Sequence, residues 1–344
     1  MLEGWAQGGD IDAWLVAINP VPPRPFDRLL KVKFVRTILT QLCYWPLLLR
    51  ELRRADIVHV FSASYTGFLL SAVPAMVVGR LLGKPVVLNY HSGHAPDHLA
   101  RSRLARVLLR HVPNVIVVPS PFLFEVFRRF GLKSIVVFNS IDTSAFRYRP
   151  RSPVRPRLLS TRNFESLYNV ACTLRAFGRV QRQYPDATLT LIGGGSQETA
   201  LRALAQELRL QNLTFVGRVQ PGNMPQHYSA ADIYLQTPSV DNMPLSVLEA
   251  FASGLPVVST RVGGVPAILT DGLHGLLATD NDDSGIAQGV LSLLADPERA
   301  RALAARAHET CQAYEWARVR DGWLAVYRQV LPSTDRQLVQ VKTA

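Results

Sequence analysis

The chain is short of cysteine, of long apolar runs and, in its first half, of acidic residues, and each shortage removes a class of protein. Its three cysteines, Cys43, Cys172 and Cys311, lie far apart without paired spacing. Neither a disulfide framework nor a cysteine-built zinc site is expected, and a reducing, cytoplasmic setting suits the composition. The longest apolar run, Phe68 to Val78, contains Ser71 and Pro74 and falls well short of the roughly 20 residues of a spanning helix. Met1-Leu2-Glu3 lacks the basic start and apolar core of a cleavable signal. No zinc-finger spacing, aromatic RNA-binding motif or recognition helix accompanies the positive charge, so nucleic acid is not an expected partner.

What is present points to two domains. At 344 residues, 48% of them apolar, the chain can fill two cores. The formal charge of +12 is lopsided: residues 1–150 hold 19 basic and 9 acidic residues, and the remainder 19 and 17. A basic first half fits an anionic membrane surface, a phosphorylated substrate or a merely solvated face.

Strand-like and helix-like segments alternate. Leu2–Ala6 reads as the end of a helix and Ala13–Ile18 as a strand leading into Pro20 and Pro22. A basic helical stretch follows over Lys31–Arg54 with Pro46 inside it, then a strand at Ile57–Phe61, a helix at Tyr65–Leu82 and a strand at Val86–Leu88. Leu99–His111 is amphipathic, with Arg101, Arg103, Arg106 and Arg110 among its leucines; it suits either an anionic bilayer or an ordinary outer helix. The Pro- and Arg-rich stretch Arg147–Arg157 is the best linker, and the tail after Pro332 reads as disordered. Beyond the linker, strands at Leu158–Ser160, Thr188–Ile192 and Leu213–Val216 alternate with helices, and Gly193-Gly194-Gly195 makes a glycine-rich turn without a full GxGxxG. Such alternation predicts an α/β fold of two Rossmann-like domains with parallel sheets facing a cleft.

The most informative stretch is Ser239–Thr260, SVDNMPLSVLEAFASGLPVVST. Pro244 suits a first helical turn, and Gly254 a helix stop. The free N–H groups of Leu245, Ser246 and Val247 then form an anion site, with Asp241 and Glu249 beside it. Phosphates and hydroxyls in one ligand, as in a nucleotide sugar, suit that arrangement. A capping Asp and a Glu on a solvated face account for the same two residues without a ligand.

This segment resembles the Glu-x7-Glu signature of the retaining, GT-B-fold glycosyltransferases of family 4 (glycosyl transferases group 1), matching at Pro244, Leu245, Leu248, Glu249, Ala250, Gly254, Pro256 and Val257. The first acid is Asp241 rather than Glu. The resemblance implies that Asp241 lies near the donor sugar and Glu249 on the ribose, with Leu245, Ser246, Asn242 and Gly194 also at the donor. It implies that Arg162 holds the pyrophosphate, that the backbone at Val219 meets the nucleobase and that His91 contacts the sugar. It further implies a last helix, residues 314–330, packing back on the first domain, so that 1–150, 151–313, 314–330 and a 331–344 tail are the expected divisions. The pattern departs at position 167, Leu where a phosphate-binding Lys is usual, at Ser140 in the turn Asn139-Ser140-Ile141-Asp142, and at Ala267. The family's opening strand and glycine-rich loop have no counterpart here, so the first domain is expected to lack its first strand.

His91, His94, Asp97 and His98 also invite a zinc reading, but the accompanying acid or cysteine motifs are missing. Asp280-Asn281-Asp282 and Asp10-Ile11-Asp12 imitate a metal-binding DxD without the fold that uses it. The expected activity is metal-independent, cofactor-free transfer of a sugar with retention, from a nucleotide-diphosphate donor to a glycan or lipid-linked acceptor in envelope or exopolysaccharide synthesis. The expected place is the cytoplasm, at the inner face of the membrane. A non-catalytic nucleotide-sugar-binding or assembly protein is the alternative.

Overall fold

Runs of valine, isoleucine and leucine make the strands of two all-parallel sheets in a computed structural model that describes residues 4–5, 11–20 and 32–331. Residues 1–137 with 320–344 form one unit, and Phe138–Val319 the other. The division thus falls at Val137/Phe138, ahead of the expected boundary at residue 150.

The first unit begins with helix α1 (Lys33–Leu52), which carries Pro46. Strands β1 (Val58–Ser62), β2 (Val86–Tyr90), β3 (Val115–Val118) and β4 (Ile135–Val136) pair in chain order. Between β1 and β2 the helix starting at Tyr65 widens into a π turn at Phe68–Ala72 and continues as α2 (Val73–Leu81). Pro74 has no N–H to donate and its ring crowds the turn before it, which the wider turn relieves. Leu99–His111 is not one helix. It is α3 (Ala95–Arg101) and α4 (Arg103–His111), broken at Ser102, which leaves helical geometry and accepts the Ala105 N–H on its Oγ at 3.1 Å. Helix α5 (Pro121–Arg129) is capped by Ser120, whose Oγ accepts the Leu123 N–H at 3.3 Å. Phe68, Met76, Leu99 and Phe127 pack on Val60, Leu88 and Val118 as the core.

Ala13–Ile18 is not a strand. Only Val16 packs on the core, while Trp14, Leu15 and Ile18 face solvent, so pairing there would bury no apolar face. Of the Leu2–Ala6 helix only Gly4 and Trp5 are described; Pro22, Lys31, Asp10 and the tail after Leu331 lie outside the described residues. No helix among the described residues is long and apolar enough to cross a membrane.

The second unit contains β5 (Arg157–Ser160), α6 (Val170–Gln183), β6 (Thr188–Ile192), α7 (Glu198–Glu207), β7 (Leu213–Gly217), α8 (Met224–Ala230), β8 (Ile233–Leu235), α9 (Leu245–Ala252), β9 (Val257–Thr260), α10 (Val265–Ile268), β10 (Leu276–Ala278), α11 (Asp283–Ala295) and α12 (Pro297–Cys311). Its strand order is β10-β9-β8-β5-β6-β7. The chain thus builds outward from β5 in one direction through β6 and β7, then returns to β5 and builds the other way from β8. The last helix, α13 (Trp316–Val330), starts in this unit, and its residues from Arg320 onward belong to the first, where Trp323 lies 4.7 Å from the His59 ring.

Arg147–Arg157 is not a linker. Arg151 is buried, and its guanidinium donates to the carbonyls of Tyr228 (2.8 Å), Ala231 (3.2 Å), Arg149 (2.5 Å) and Ser253. A Pro- and Arg-rich composition reads as linker only until a buried set of carbonyls claims the arginine.

Candidate active site

Where a doubly wound sheet reverses its strand order, the loops at the carboxyl ends of the two central strands diverge and leave a crevice. In the second unit that point lies between β5 and β8. The loop after β5 carries Thr161 and Arg162; the loop after β8 carries Asp241 and leads into α9 with Ser246 and Glu249.

Arg162 is the hub. One guanidinium nitrogen donates to Ser246 Oγ at 2.9 Å, and the other donates to the Asp241 carboxylate in a short ion pair. Its face stacks over the Tyr168 ring, with the guanidinium carbon 4.1 Å from the centroid. The buried Nε–H has no acceptor among the described residues. Burial pushes the Asp241 carboxyl above the usual aspartate value, against Arg162 and the N–H groups of Asn242 and Met243.

Glu249, one turn into α9, accepts a 2.6 Å hydrogen bond from Tyr228 on α8. The Tyr228 hydroxyl also lies 2.8 Å from Thr161 Oγ1, which ties β5, α8 and α9 together. Burial raises the Glu249 pKa, while Tyr228 and Arg162 lower it. Ser246 in turn donates to Gln236 at 3.2 Å, and Gln236 to Ser259 at 3.1 Å.

Two glycines permit this geometry. Gly193 has φ +150°, and a Cβ there would stand 2.2 Å from the Arg162 carbonyl oxygen. Gly263, at φ +52°, would place a Cβ 2.0 Å from the Asp241 carbonyl oxygen, and the neighbouring Gly264 N–H donates to that same oxygen at 2.8 Å. Both loops bearing the charged pair are held by backbone that no side chain can crowd.

The start of α9 differs in detail from the expectation. Pro244 is the N-cap rather than the first helical residue, and its carbonyl accepts the Val247 N–H at 3.1 Å. The expected trio of free N–H groups is therefore reduced to Leu245 and Ser246. Leu245 itself points to solvent at 41% exposure, while Ser246 and Asn242 are buried. Gly194 accepts the Phe164 N–H at 3.2 Å and faces the Arg218 side chain; Val219 follows it, half-buried against the core. Leu167, in the place of the usual Lys, is used through its carbonyl, which accepts the Ser239 N–H at 2.9 Å.

Arg162, Asp241, Ser246 and Glu249 are thus brought together in the second unit. His91 belongs to the first unit, half-buried at the end of β2, with its ring 5.7 Å from that of Phe61. Burial lowers its pKa to about 4. His98 is a core residue: its Nδ1 lies 2.8 Å from the Tyr90 hydroxyl, itself 2.8 Å from Ser64 Oγ. His94 is exposed. No group of three or more His, Cys, Asp or Glu among the described residues is placed to hold a metal ion. Sequence reasoning missed Tyr228, Thr161 and the stacking role of Tyr168. A tyrosine on a seven-residue helix carries no signal of its own, since only the packing of α8 against α9 brings it to Glu249.

Two family models match the chain in tandem, one described as Glycosyltransferase Family 4 over residues 9–145 and one as Glycosyl transferases group 1 over residues 146–310. The chain belongs to this family of GT-B-fold glycosyltransferases. Among curated relatives, a glycogen synthase of Mycobacterium tuberculosis is 28% identical over 337 residues, 93% of this chain and 76% of the relative. A GDP-mannose-dependent alpha-(1-6)-phosphatidylinositol monomannoside mannosyltransferase of Mycolicibacterium smegmatis is 32% identical over 161 residues, 44% of this chain and 42% of its own. Among solved structures, Anabaena HepE in complex with UDP-glucose superposes with a TM-score of 0.72 at 18% identity, over 83% of this chain and 82% of that one. At that identity the likeness is one of fold.

Proposed function

We propose that this glycosyltransferase moves a sugar, with retention and without a metal, from a nucleotide-diphosphate donor bound at the β5/β8 crevice to an acceptor hydroxyl. The observation that carries the proposal is Arg162: a buried guanidinium whose Nε–H lacks an acceptor among the described residues, set beside the free N–H groups at the start of α9. A diphosphate meets there a fixed cation and a helix dipole before the bond breaks, which is the preorganised electrostatic stabilisation that lowers a transition-state charge. As the donor enters, its phosphate takes part of the Arg162 fork from Asp241, and the freed carboxylate faces the sugar hydroxyls. Glu249, held by Tyr228, accepts from the ribose hydroxyls. The leaving phosphate takes the acceptor proton, so no protein base is required for a front-face transfer.

The acceptor is a glycan or a lipid-linked glycan of the cell envelope, in keeping with relatives that include a phosphatidylinositol mannoside mannosyltransferase. The first unit contains a groove of about 500 Å³ lined by Thr37, Thr40, Gln41, Thr66 and Ser71, hydroxyl and amide groups suited to a sugar's hydroxyls. Leu167 in place of a lysine favours a second reading, a nucleotide-sugar-binding protein without transfer.

Calorimetric titration with UDP, GDP, ADP and their common sugars, followed by donor hydrolysis and transfer assays, tests both. Saturable binding to one nucleotide, lost in Arg162→Ala, with turnover, supports the transferase. Binding without turnover supports the second reading, and no binding at all overturns both.

A further inference from the structure

The geometry points to helix α1 as the element that docks this protein on an anionic lipid bilayer. Phe34, Ile38, Leu42, Trp45 and Leu49 are 78%, 60%, 66%, 41% and 37% exposed. Their spacings of four, four, three and four residues place all five on one face of an α-helix, a continuous apolar strip about 22 Å long. The helix is not loose. A neighbouring face carries the buried Tyr44 and Leu48, and it is fastened by Tyr44 Oη donating to the Ser71 carbonyl at 3.1 Å and by Gln41 donating to that of Leu70 at 2.9 Å. A rigidly held helix therefore presents five large apolar side chains outward.

The surrounding charge selects the occupant. Arg36, Arg50, Arg53 and Arg54 are exposed on or just beyond α1, where Glu51 is the sole acid, and residues 1–150 carry 19 basic against 9 acidic residues. An interfacial helix has this composition: Trp, Phe and Leu on one face and arginine at the flanks, where anionic headgroups lie. A second copy of the chain meeting the same face would bring two sets of arginines together, which disfavours self-association. Helix α4, the amphipathic segment most evident in the sequence, exposes only Leu104 and Val107 and is the weaker candidate. The inference rests on the lipid-linked acceptor proposed above, yet its test reads binding without any substrate, so its failure is distinguishable from failure of the donor site.

The test is co-flotation of the full chain with vesicles of phosphatidylcholine alone or mixed with phosphatidylglycerol, at low and high salt. Binding to the anionic vesicles is expected, weakened by salt and roughly tenfold or more poorer on phosphatidylcholine alone. Ile38→Glu/Leu42→Glu should abolish it while leaving the melting temperature and the nucleotide titration unchanged, because both side chains already face solvent. Arg50→Glu/Arg53→Glu should remove the preference for the anionic lipid. Three results would overturn the inference: no flotation of the parent chain, flotation unaffected by Ile38→Glu/Leu42→Glu, or a concentration-dependent dimer that the same double variant dissociates.

Discussion

Arg162 and Asp241 form an ion pair whose side chains are only 10% and 11% exposed, across 79 residues of sequence. Removing either partner leaves the other charge buried and uncompensated, which typically costs about 3–5 kcal/mol. Arg162→Ala is therefore expected to lower the unfolding temperature of the second unit as well as to abolish donor binding. Adding Asp241→Asn should restore much of the stability and none of the binding. Calorimetric unfolding and titration of the three variants separate the two effects, and full recovery of binding in the double variant would contradict the role given to Arg162.

Tyr228→Phe deletes the hydroxyl's hydrogen bonds to Glu249 (2.6 Å) and Thr161 (2.8 Å) with little change in volume. Burial already raises the Glu249 pKa and Tyr228 opposes that rise, so the variant's carboxyl should protonate at higher pH. In the role proposed for it, Glu249 accepts from the ribose hydroxyls as a carboxylate. Nucleotide affinity should accordingly fall with decreasing pH, and the fall should begin at higher pH in Tyr228→Phe than in the parent. An unchanged pH profile of the dissociation constant would separate Tyr228 from the site.

Leu167→Lys supplies the cation that the family pattern has and this chain lacks. A charge-assisted contact to phosphate is worth about 1.5–3 kcal/mol, so nucleoside diphosphate should bind roughly tenfold or more tightly at low salt. The gain should shrink as ionic strength rises. Titrations at two salt concentrations decide it.

Arg151→Ala should destabilise the second unit by about 3 kcal/mol or more, because it removes the donor to the Tyr228 carbonyl and leaves those of Ala231 and Ser253 with only the 3.3 Å bonds from Arg149. Arg151→Lys, with one donor group in place of a planar fork, should recover only part of that loss. Denaturant unfolding followed by a probe in the second unit gives the measurement.

His59 and His91 are both held neutral by burial, with pKa values lowered to about 3 and about 4. A histidine whose folded value lies below its unfolded value of about 6.5 favours the folded state above that pH. The advantage is lost as pH falls toward the folded value, at about 1.4 kcal/mol per pH unit for each histidine. Stability of the first unit should therefore decline between about pH 6.5 and 4, and His59→Phe, which keeps a ring among Phe61, Trp323 and Tyr327, should make the decline shallower.

Much of this was legible in residue order. Valine-rich runs separated by amphipathic helices specify parallel strands and crossovers whatever their partners, because each segment's periodicity is local. Asp241 and Glu249 were legible for a related reason: proline, glycine and acids at fixed spacing announce a helix start whose N–H groups suit an anion, whereas Arg162 followed only from the family resemblance. Local pattern misled where a distant partner overrode it. Ala13–Ile18 has a strand's composition but no apolar face to bury, Arg147–Arg157 has a linker's composition but an arginine enclosed by four carbonyls, and one amphipathic helix is two because Ser102 caps the second.

The sequence by itself determined the fold class, the order of the elements and which residues carry charge beside the α9 helix start. Only the tertiary structure decided that Arg162 meets Asp241, that Tyr228 holds Glu249, that His98 is core, and that α1 turns five apolar side chains outward. Those outcomes depend on which strand lies beside β5 and which face of a helix finds a neighbour. They are long-range packing choices, and no local periodicity encodes them.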